Sequence, residues 1–399
     1  MKILLINYEY PPVGGGAGNA AAFLAKEFLA AGAAPVVLTT AFGCLPRRED
    51  DCGVPVVRIA TGRRRADRCS VPEMTSFMAR AVPAALALHR EFSFDASLAF
   101  FGIPGGPAAY VLKRLRKTPY VVSLRGGDVP GFLPGELSGL HALTRPVIRH
   151  IWKHAASVVA NSLGLAELAR RTAGKTPIAV IANGVDTQRF APGLPKNASE
   201  PARLLFAGRV VRQKGLDVLL PALAALANAP GRDFHLDVAG DGSEVAELRA
   251  LAERLGIGAK VSFLGWRDRD ALPGLYARAD VFVFPSRDEG MPNAVLEAMA
   301  SALPVVATDI AGNQELVRHE QTGLLTPCED VPALTAALDR LIRDRELAAR
   351  YGKAGRRLVQ EDYSWRAAAR AYLDLLGEAA AKAGYKWEQK MSSFSRSHL

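Results

Sequence analysis

A chain of 399 residues exceeds what one typical hydrophobic core organises, and its 49% hydrophobic and 23% charged side chains are those of a globular protein, so two domains are expected. No apolar run approaches the roughly 18 residues of a bilayer-spanning helix, and "MKILLINYEYPP" is a short strand entering prolines rather than a cleavable leader. The net charge of +10 belongs to the first half: residues 1–190 hold 23 Lys and Arg against 13 Asp and Glu, and the rest holds 27 of each, which suits an anionic surface or substrate.

"KILLIN" (2–7) opens the chain as a buried strand. After it, "PPVGGGAGNAAAFLA" (11–25) places Gly14, Gly15, Gly16 and Gly18 in a turn without side chains, ahead of a helix. Such a turn lets backbone amides approach an anion. It is neither a dinucleotide fingerprint nor a P-loop, because the spacing fails at Asn19 and no Gly-Lys-Ser/Thr follows. A tight turn, or an approach surface for phosphate or sugar at Gly15 and Gly16, both remain open. "PVVLTT" (35–40), "VPVVRI" (54–59), "DASLAFF" (95–101), "PYVVSL" (119–124), "ASVVANS" (156–162) and "PIAVIA" (177–182) continue as strands, with helical patterns at 19–31, 72–91, 104–116 and 139–154 between them. Near-continuous apolar strands alternating with helices imply a parallel sheet covered on both faces. "GRRRADR" (62–68) reads as a solvated basic loop, without the interleaved aromatics that stack nucleic-acid bases. In the helix 139–154, Leu140, Leu143, Val147, Ile151 and Trp152 line one side and Arg145, Arg149 and Lys153 lie largely elsewhere. That pattern fits a core-packed helix with a basic outer face, or one resting on an anionic membrane. His150 and His154 are one turn apart with no third metal ligand nearby, and Cys44, Cys52, Cys69 and Cys328 form no C-x-x-C pair, so all are read as incidental in a cytosolic protein.

"APGLPKNASEPA" (191–202) reads as a linker, after which the pattern restarts with strands "RLLFAG" (203–208), "FHLDVAG" (234–240), "KVSFLG" (260–265), "DVFVFPS" (280–286) and "LPVVAT" (303–308). Helical patterns occupy 215–229, 243–256 and 313–318, then most of 330–380. The expectation is two doubly wound, Rossmann-like α/β domains facing across a cleft, at residues 1–190 and 203–362. The helical stretch runs on to about 380, and a polar tail fills 384–399. Ligands of such sheets bind at the carboxyl ends of the strands, where every motif here falls.

Two such motifs bear charge. "FAGRVVRQKGLDVLL" (206–220) sets Arg209 and Lys214 around a strand-to-helix loop, where two cations and a helix N-terminus suit a diphosphate. "RDEGMPNAVLEAMA" (287–300) sets Glu289 before a Gly-Met-Pro turn and Glu297 eight positions later. The helix dipole favours acids in a first turn, but Glu289 precedes the helix and Glu297 lies deeper, so helix-start chemistry explains neither. "DRD" (268–270) imitates a metal-binding pair but precedes a helix, where Asp is an ordinary cap; no metal is expected.

Glu-x7-Glu after a strand, with Arg209 and Lys214 on a "GR…KG" loop, resembles the family 4 (group 1) retaining glycosyltransferases of the GT-B fold. "VAGDGSEVAELRALAERLGIGAKVSFLGWRD" (238–268), "IANGVDTQRFAP" (181–192), "YSWRAAARAYLDLL" (363–376), the glycine turn and "SLRGGDVPG" (123–131) extend the resemblance over roughly residues 1–380. The resemblance implies a hexosyl-transferring enzyme of polysaccharide biosynthesis. Its second domain would bind a nucleotide diphosphate sugar, its first a glycan or lipid-linked acceptor, and its closing helix, at 363–383, would cross back to the first domain. Glu297 would take the ribose hydroxyls, Glu289 the transferred sugar, and Gly290, Met291, Pro292 and Asn293 would frame sugar and phosphates. Arg209 and Lys214 would hold the diphosphate. No cofactor or nucleic acid is implied, and the expected place is the cytoplasm or the cytosolic face of an anionic membrane. Where many members carry a histidine near the sugar, this sequence has Arg125, with Asp128 three residues on; either is a candidate sugar or acceptor contact, or both are structural. A nucleotide-sugar epimerase or phosphorylase, or a non-catalytic nucleotide-sugar-binding protein, are the alternatives on this architecture.

Overall fold

The computed structural model describes residues 1–66, 69–132, 134–193, 201–268 and 270–385. In the first domain, β1 (Lys2–Ile6), β2 (Ala34–Thr40), β3 (Arg48–Asp51), β4 (Val54–Ile59), β5 (Ala96–Phe100), β6 (Tyr120–Ser123), β7 (Ser157–Ala160) and β8 (Ile178–Val180) form one sheet, ordered β3-β4-β2-β1-β5-β6-β7-β8. All neighbours are parallel except β3 with β4. In the second, β9 (Ala202–Ala207), β10 (Phe234–Ala239), β11 (Val261–Gly265), β12 (Val281–Phe284), β13 (Val305–Thr308) and β14 (Gly323–Thr326) lie in the order β11-β10-β9-β12-β13-β14, parallel throughout.

Strand order reverses beside β1 and β5 in one sheet and beside β9 and β12 in the other. These switch points splay successive connections to opposite faces and open a crevice at the strand ends. The glycine turn follows β1, the Arg209–Lys214 loop follows β9, and the Glu289 loop follows β12. The chain order alone therefore delivers three motifs to two crevices.

The inner strands are apolar on both faces and buried over most of their length, as at Ile3, Leu4, Leu5 and Ile6. The helix Trp365–Lys382 returns to the first domain: Trp365 stacks on Phe23 at 5.0 Å, and Tyr372 and Ser123 hydroxyls meet at 2.7 Å. The Val185 amide donates to Tyr363 O at 3.0 Å where the two crossing segments touch.

Several elements differ from the sequence expectation. β3, "REDD", has no apolar residue, but it is an antiparallel edge strand: Arg48 and Asp50 face solvent, Glu49 pairs with buried Arg58 and Asp51 accepts from the Tyr10 hydroxyl, and a charged edge is a common protection against further pairing. β14 and the helix Leu163–Ala173 are additional, the latter begun by a Ser162 hydroxyl that accepts from Leu165 N at 3.1 Å. The pattern at 313–318 is one turn, Ala311–Gln314. In the helix Pro134–His154, Ile148, Ile151 and Trp152 are buried, whereas Leu143 and Val147 point outward, so the expected apolar side is split. Arg63 is not solvated: it is buried and donates to the carbonyls of Tyr8, Arg65 and Ala66. Residues 67–68 of that basic stretch, 194–200 of the expected linker and 386–399 of the expected tail lie outside the described residues. Among those described, no helix is long and apolar enough to cross a membrane.

Candidate active site

The loops after β9 and β12 form one unit. Gly215, at φ +70°, sits where any β-carbon would lie 2.0 Å from Pro285 O, so the first loop can press against the end of β12. Gln213 then ties them: its side-chain amide donates to Asp288 O at 2.7 Å, and its carbonyl accepts from Arg287 N at 2.8 Å. Arg209 Nη2 donates to Gln213 Oε1 at 3.3 Å. Across this seam Lys214 forms an ion pair with Glu289, with the two side chains only 11% and 10% exposed. The Lys214 ammonium also sits 4.9 Å from the centre of the Phe284 ring. A cation over an aromatic face in a nearly dry site interacts strongly with any charge placed beside it.

The helix Asn293–Ala300 buries Val295, Leu296, Ala298 and Met299. This leaves Glu297 half-buried, its Oε2 accepting from the Tyr276 hydroxyl at 3.0 Å. Burial, then the Glu297 charge, push the Tyr276 pKa well above its ordinary value, so the phenol stays a donor. Pro292 is the residue before the helix, not part of its first turn, and its carbonyl accepts from Val295 N at 3.1 Å.

The first domain meets this loop through Asn183. Its side chain accepts from Arg125 Nη1 at 2.6 Å and donates to Asn293 Oδ1 at 2.8 Å, while its amide donates to Met291 Sδ at 3.2 Å. Asn293 in turn donates to Gly16 O at 3.4 Å. One chain of contacts thus joins Arg125, Met291, Asn293 and Gly16. Gly15, next to it, has no atom within 4 Å of where a β-carbon would stand, so this edge of the turn is open. Gly290 faces Asn161 of the first domain: a β-carbon there would lie 3.3 Å from Asn161 Oδ1, a buried acceptor with no protein partner among the described residues. The domains are also joined where the amides of Leu163 and Gly164 donate to the Glu315 carboxylate, each at 2.9 Å.

Arg125 lies half-buried over the Phe100 ring at 4.8 Å; desolvation lowers its pKa from the ordinary value, and Tyr372 and Asp128 act the other way. Asp128 accepts from Arg125 N at 3.0 Å and Gly102 N at 2.7 Å. Burial raises its pKa against those two bonds, and both oxygens are engaged by backbone. Asp128 shapes the loop; Arg125 reaches toward the seam. Asp268 accepts from Ala271 N at 2.8 Å and Asp270 pairs with Arg189 at 2.6 Å, while Arg269 between them lies outside the described residues. The His150 and His154 rings lie tilted to each other at 4.3 Å beside Tyr110, and the four cysteines are free. No cluster of three His, Cys, Asp or Glu suited to a metal occurs among the described residues.

Asn183, Gln213, Tyr276 and Asn161 are not among the candidates read from the sequence. Asn183 sits inside the quoted "IANGVD", so its position was visible there without its role. A model of glycosyltransferase family 4 matches residues 14–189, and one of group 1 glycosyl transferases matches residues 188–358. The chain belongs to the family 4 (group 1) glycosyltransferases, and its paired α/β domains are the GT-B fold. A lipopolysaccharide core biosynthesis glycosyltransferase of Rhizobium meliloti is 33% identical over 228 residues, which span 56% of this chain and 65% of that protein, just under two thirds of its length. Glycogen synthase of Mycobacterium tuberculosis is 28% identical over 98% of this chain and 97% of its own. The solved sucrose-phosphate synthase of Thermosynechococcus elongatus superposes with a TM-score of 0.82 at 26% identity, covering 96% of this chain and 99% of that one.

Proposed function

We propose that the protein is a retaining hexosyltransferase that moves a sugar from a nucleotide diphosphate sugar to a polysaccharide or lipid-linked acceptor seated on the first domain. The observation that carries this reading is the Arg209–Gln213–Lys214 unit locked against Glu289 at a switch point. Glu297 lies one helical turn beyond it. An ionised carboxylate accepts two hydrogen bonds at once, which matches a ribose diol at Glu297. Glu289 and the Gly290–Asn293 backbone then frame the sugar, with Asn161 and Arg125 on the acceptor side.

In this reaction the bond from the anomeric carbon to the diphosphate oxygen breaks as the acceptor oxygen bonds to the same face of that carbon. The acceptor proton passes to a donor phosphate oxygen. Negative charge grows on the departing diphosphate, and Arg209 and Lys214 stabilise it in place. Rate enhancement comes from positioning and electrostatics, so no enzyme nucleophile is required. The test is a melting screen against UDP-, GDP- and ADP-sugars, followed by product NMR with the stabilising donor. A nucleotide that binds the folded state raises the midpoint, and the transferred sugar keeps its anomeric configuration. An inverted product, or an epimerised donor without transfer, overturns the reading.

A further inference from the structure

The helix Leu163–Ala173 of the first domain starts just past the carboxyl end of β7, and a helix start leaves its first amides without partners in the helix. The Ser162 hydroxyl takes one of them, that of Leu165. The other two go to the second domain. Leu163 N donates to Glu315 Oε2 and Gly164 N to Glu315 Oε1, each at 2.9 Å, across 152 and 151 positions of chain. The helix dipole favours a carboxylate at this place, and each of its oxygens here accepts a charge-assisted bond. Glu315 is also held from behind, because its carbonyl accepts from the Tyr363 hydroxyl at 2.9 Å, in the segment that crosses between the domains. Two glycines remove the slack around this contact. A β-carbon on Gly164 would stand 2.7 Å from Ala311 Cβ, in the turn Ala311–Gln314. Gly312 of the same turn lies against the Glu289–Gly290 backbone, where a β-carbon would stand 2.5 Å from Glu289 O and 2.7 Å from Gly290 O. The path closes on itself, because Gly290 faces Asn161, two residues before Leu163. Asn161 is only 4% exposed, and its Oδ1 has no protein partner among the described residues.

We propose that Glu315 is a positioning residue: by clasping the Leu163 and Gly164 amides it sets Asn161 over Gly290, where Asn161 Oδ1 accepts a hydrogen bond from a hydroxyl of the sugar. The substrate in this statement rests on the transfer reaction proposed above; the clasp itself does not. A buried acceptor without a donor is costly, and cohesion between the domains would not require one to be left open where the two segments meet. A sugar hydroxyl is a donor of the right size for that place and disappears from it when the product leaves. Glu315 touches no reacting atom. It acts through Asn161, by fixing the spacing between the end of β7 and the loop after β12.

Hydrogen exchange of the full chain, with neither donor nor acceptor, tests the clasp. In Glu315→Ala the Leu163 and Gly164 amides should exchange on the order of tenfold faster, about what one charge-assisted bond protects, and in Glu315→Gln by less. Unchanged exchange in Glu315→Ala overturns the proposal whatever reaction the protein catalyses. Turnover with the donor found by the melting screen tests the positioning. Glu315→Ala should lower kcat by roughly tenfold, while the donor Kd from calorimetry stays within about twofold, since the proposed ribose and diphosphate contacts all belong to the second domain. Asn161→Ala should lower kcat by a similar factor. The double variant should fall no further than the larger single loss, because residues that act as a unit are not additive. Losses that multiply overturn the positioning role, as does a donor Kd that rises as much as kcat falls. Gly164→Ala forces the seam apart without altering Glu315 and should slow turnover. Adding Ala311→Gly, which removes the opposing β-carbon, should restore it. Full turnover in Gly164→Ala, or a loss that Ala311→Gly leaves in place, overturns the proposal. The two failures stay separate: a chain that transfers no sugar refutes the reaction, whereas unchanged exchange refutes the clasp.

Discussion

Replacing Lys214 with alanine separates two roles that one ammonium combines. In the resting protein it faces Glu289 with both side chains about nine-tenths buried, so the variant leaves a carboxylate in a nearly dry seam without its cation. Removing one partner of a buried pair costs about 3–5 kcal/mol. The residual exposure of both groups places the expectation near about 3 kcal/mol, or a fall of roughly 6–12 °C in the melting of the second domain. Catalysis should lose a preorganised charge at the leaving group, about 10²–10³ in kcat, with a much smaller rise in the donor KM. A second substitution, Glu289→Gln, distinguishes the two losses. It removes the stranded charge and should return most of the melting temperature, yet it cannot return a cation to the diphosphate. Calorimetric melts and steady-state acceptor glycosylation of Lys214→Ala and the double variant are the assays. Full kcat in Lys214→Ala with only KM raised would make the lysine a binding contact. Recovery of kcat together with stability in the double variant would show that Lys214 serves only to neutralise Glu289.

Glu297→Ala should weaken nucleotide-sugar affinity by about 1.5–3 kcal/mol per charge-assisted bond lost, and unchanged affinity in titration calorimetry would remove the ribose assignment. Asn183→Ala strands Arg125 Nη1 and the Asn293 amide carbonyl together; urea unfolding should show about 1–3 kcal/mol of lost stability, and an unaltered midpoint would mean the bridge contributes nothing in solution. Acid stability should involve Asp51: burial raises its pKa, but the Tyr10 hydroxyl and Lys26 outweigh that and hold it below the ordinary carboxylate value. A lowered folded pKa contributes stability that is present above the unfolded value near pH 4 and is lost as pH falls through the folded one. Asp51→Asn should therefore be less stable than the parent at pH 7 and converge with it toward pH 3, and parallel melting curves over that range would contradict the assignment.

Strands such as "KILLIN" and "VFVF" were legible because burial on both faces demands continuous apolar residues, a requirement written locally. The positions of Arg209, Lys214, Glu289 and Glu297 at strand ends followed from the same alternation. β3 was not legible, because an edge strand needs no apolar residue, and its pairing with β4 depends on a neighbour rather than on its own composition. The outward turn of Leu143 and Val147 was hidden for a related reason. Helical periodicity identifies which residues share a side, but which side meets the sheet is decided by the shape of the space that Ile148, Ile151 and Trp152 fill.

By itself the sequence determined two parallel α/β units, their order, the location of the excess positive charge and the motifs at the strand ends. Each of these depends on residues within a few turns or strands of one another. Only the tertiary structure decided that Lys214 faces Glu289 across 75 positions of chain, that both Asp128 oxygens go to backbone amides, and that Asn183 joins Arg125 to Asn293. Partners far apart in sequence meet through the packing of whole sheets, and a buried polar group takes whichever donor or acceptor that packing brings within reach.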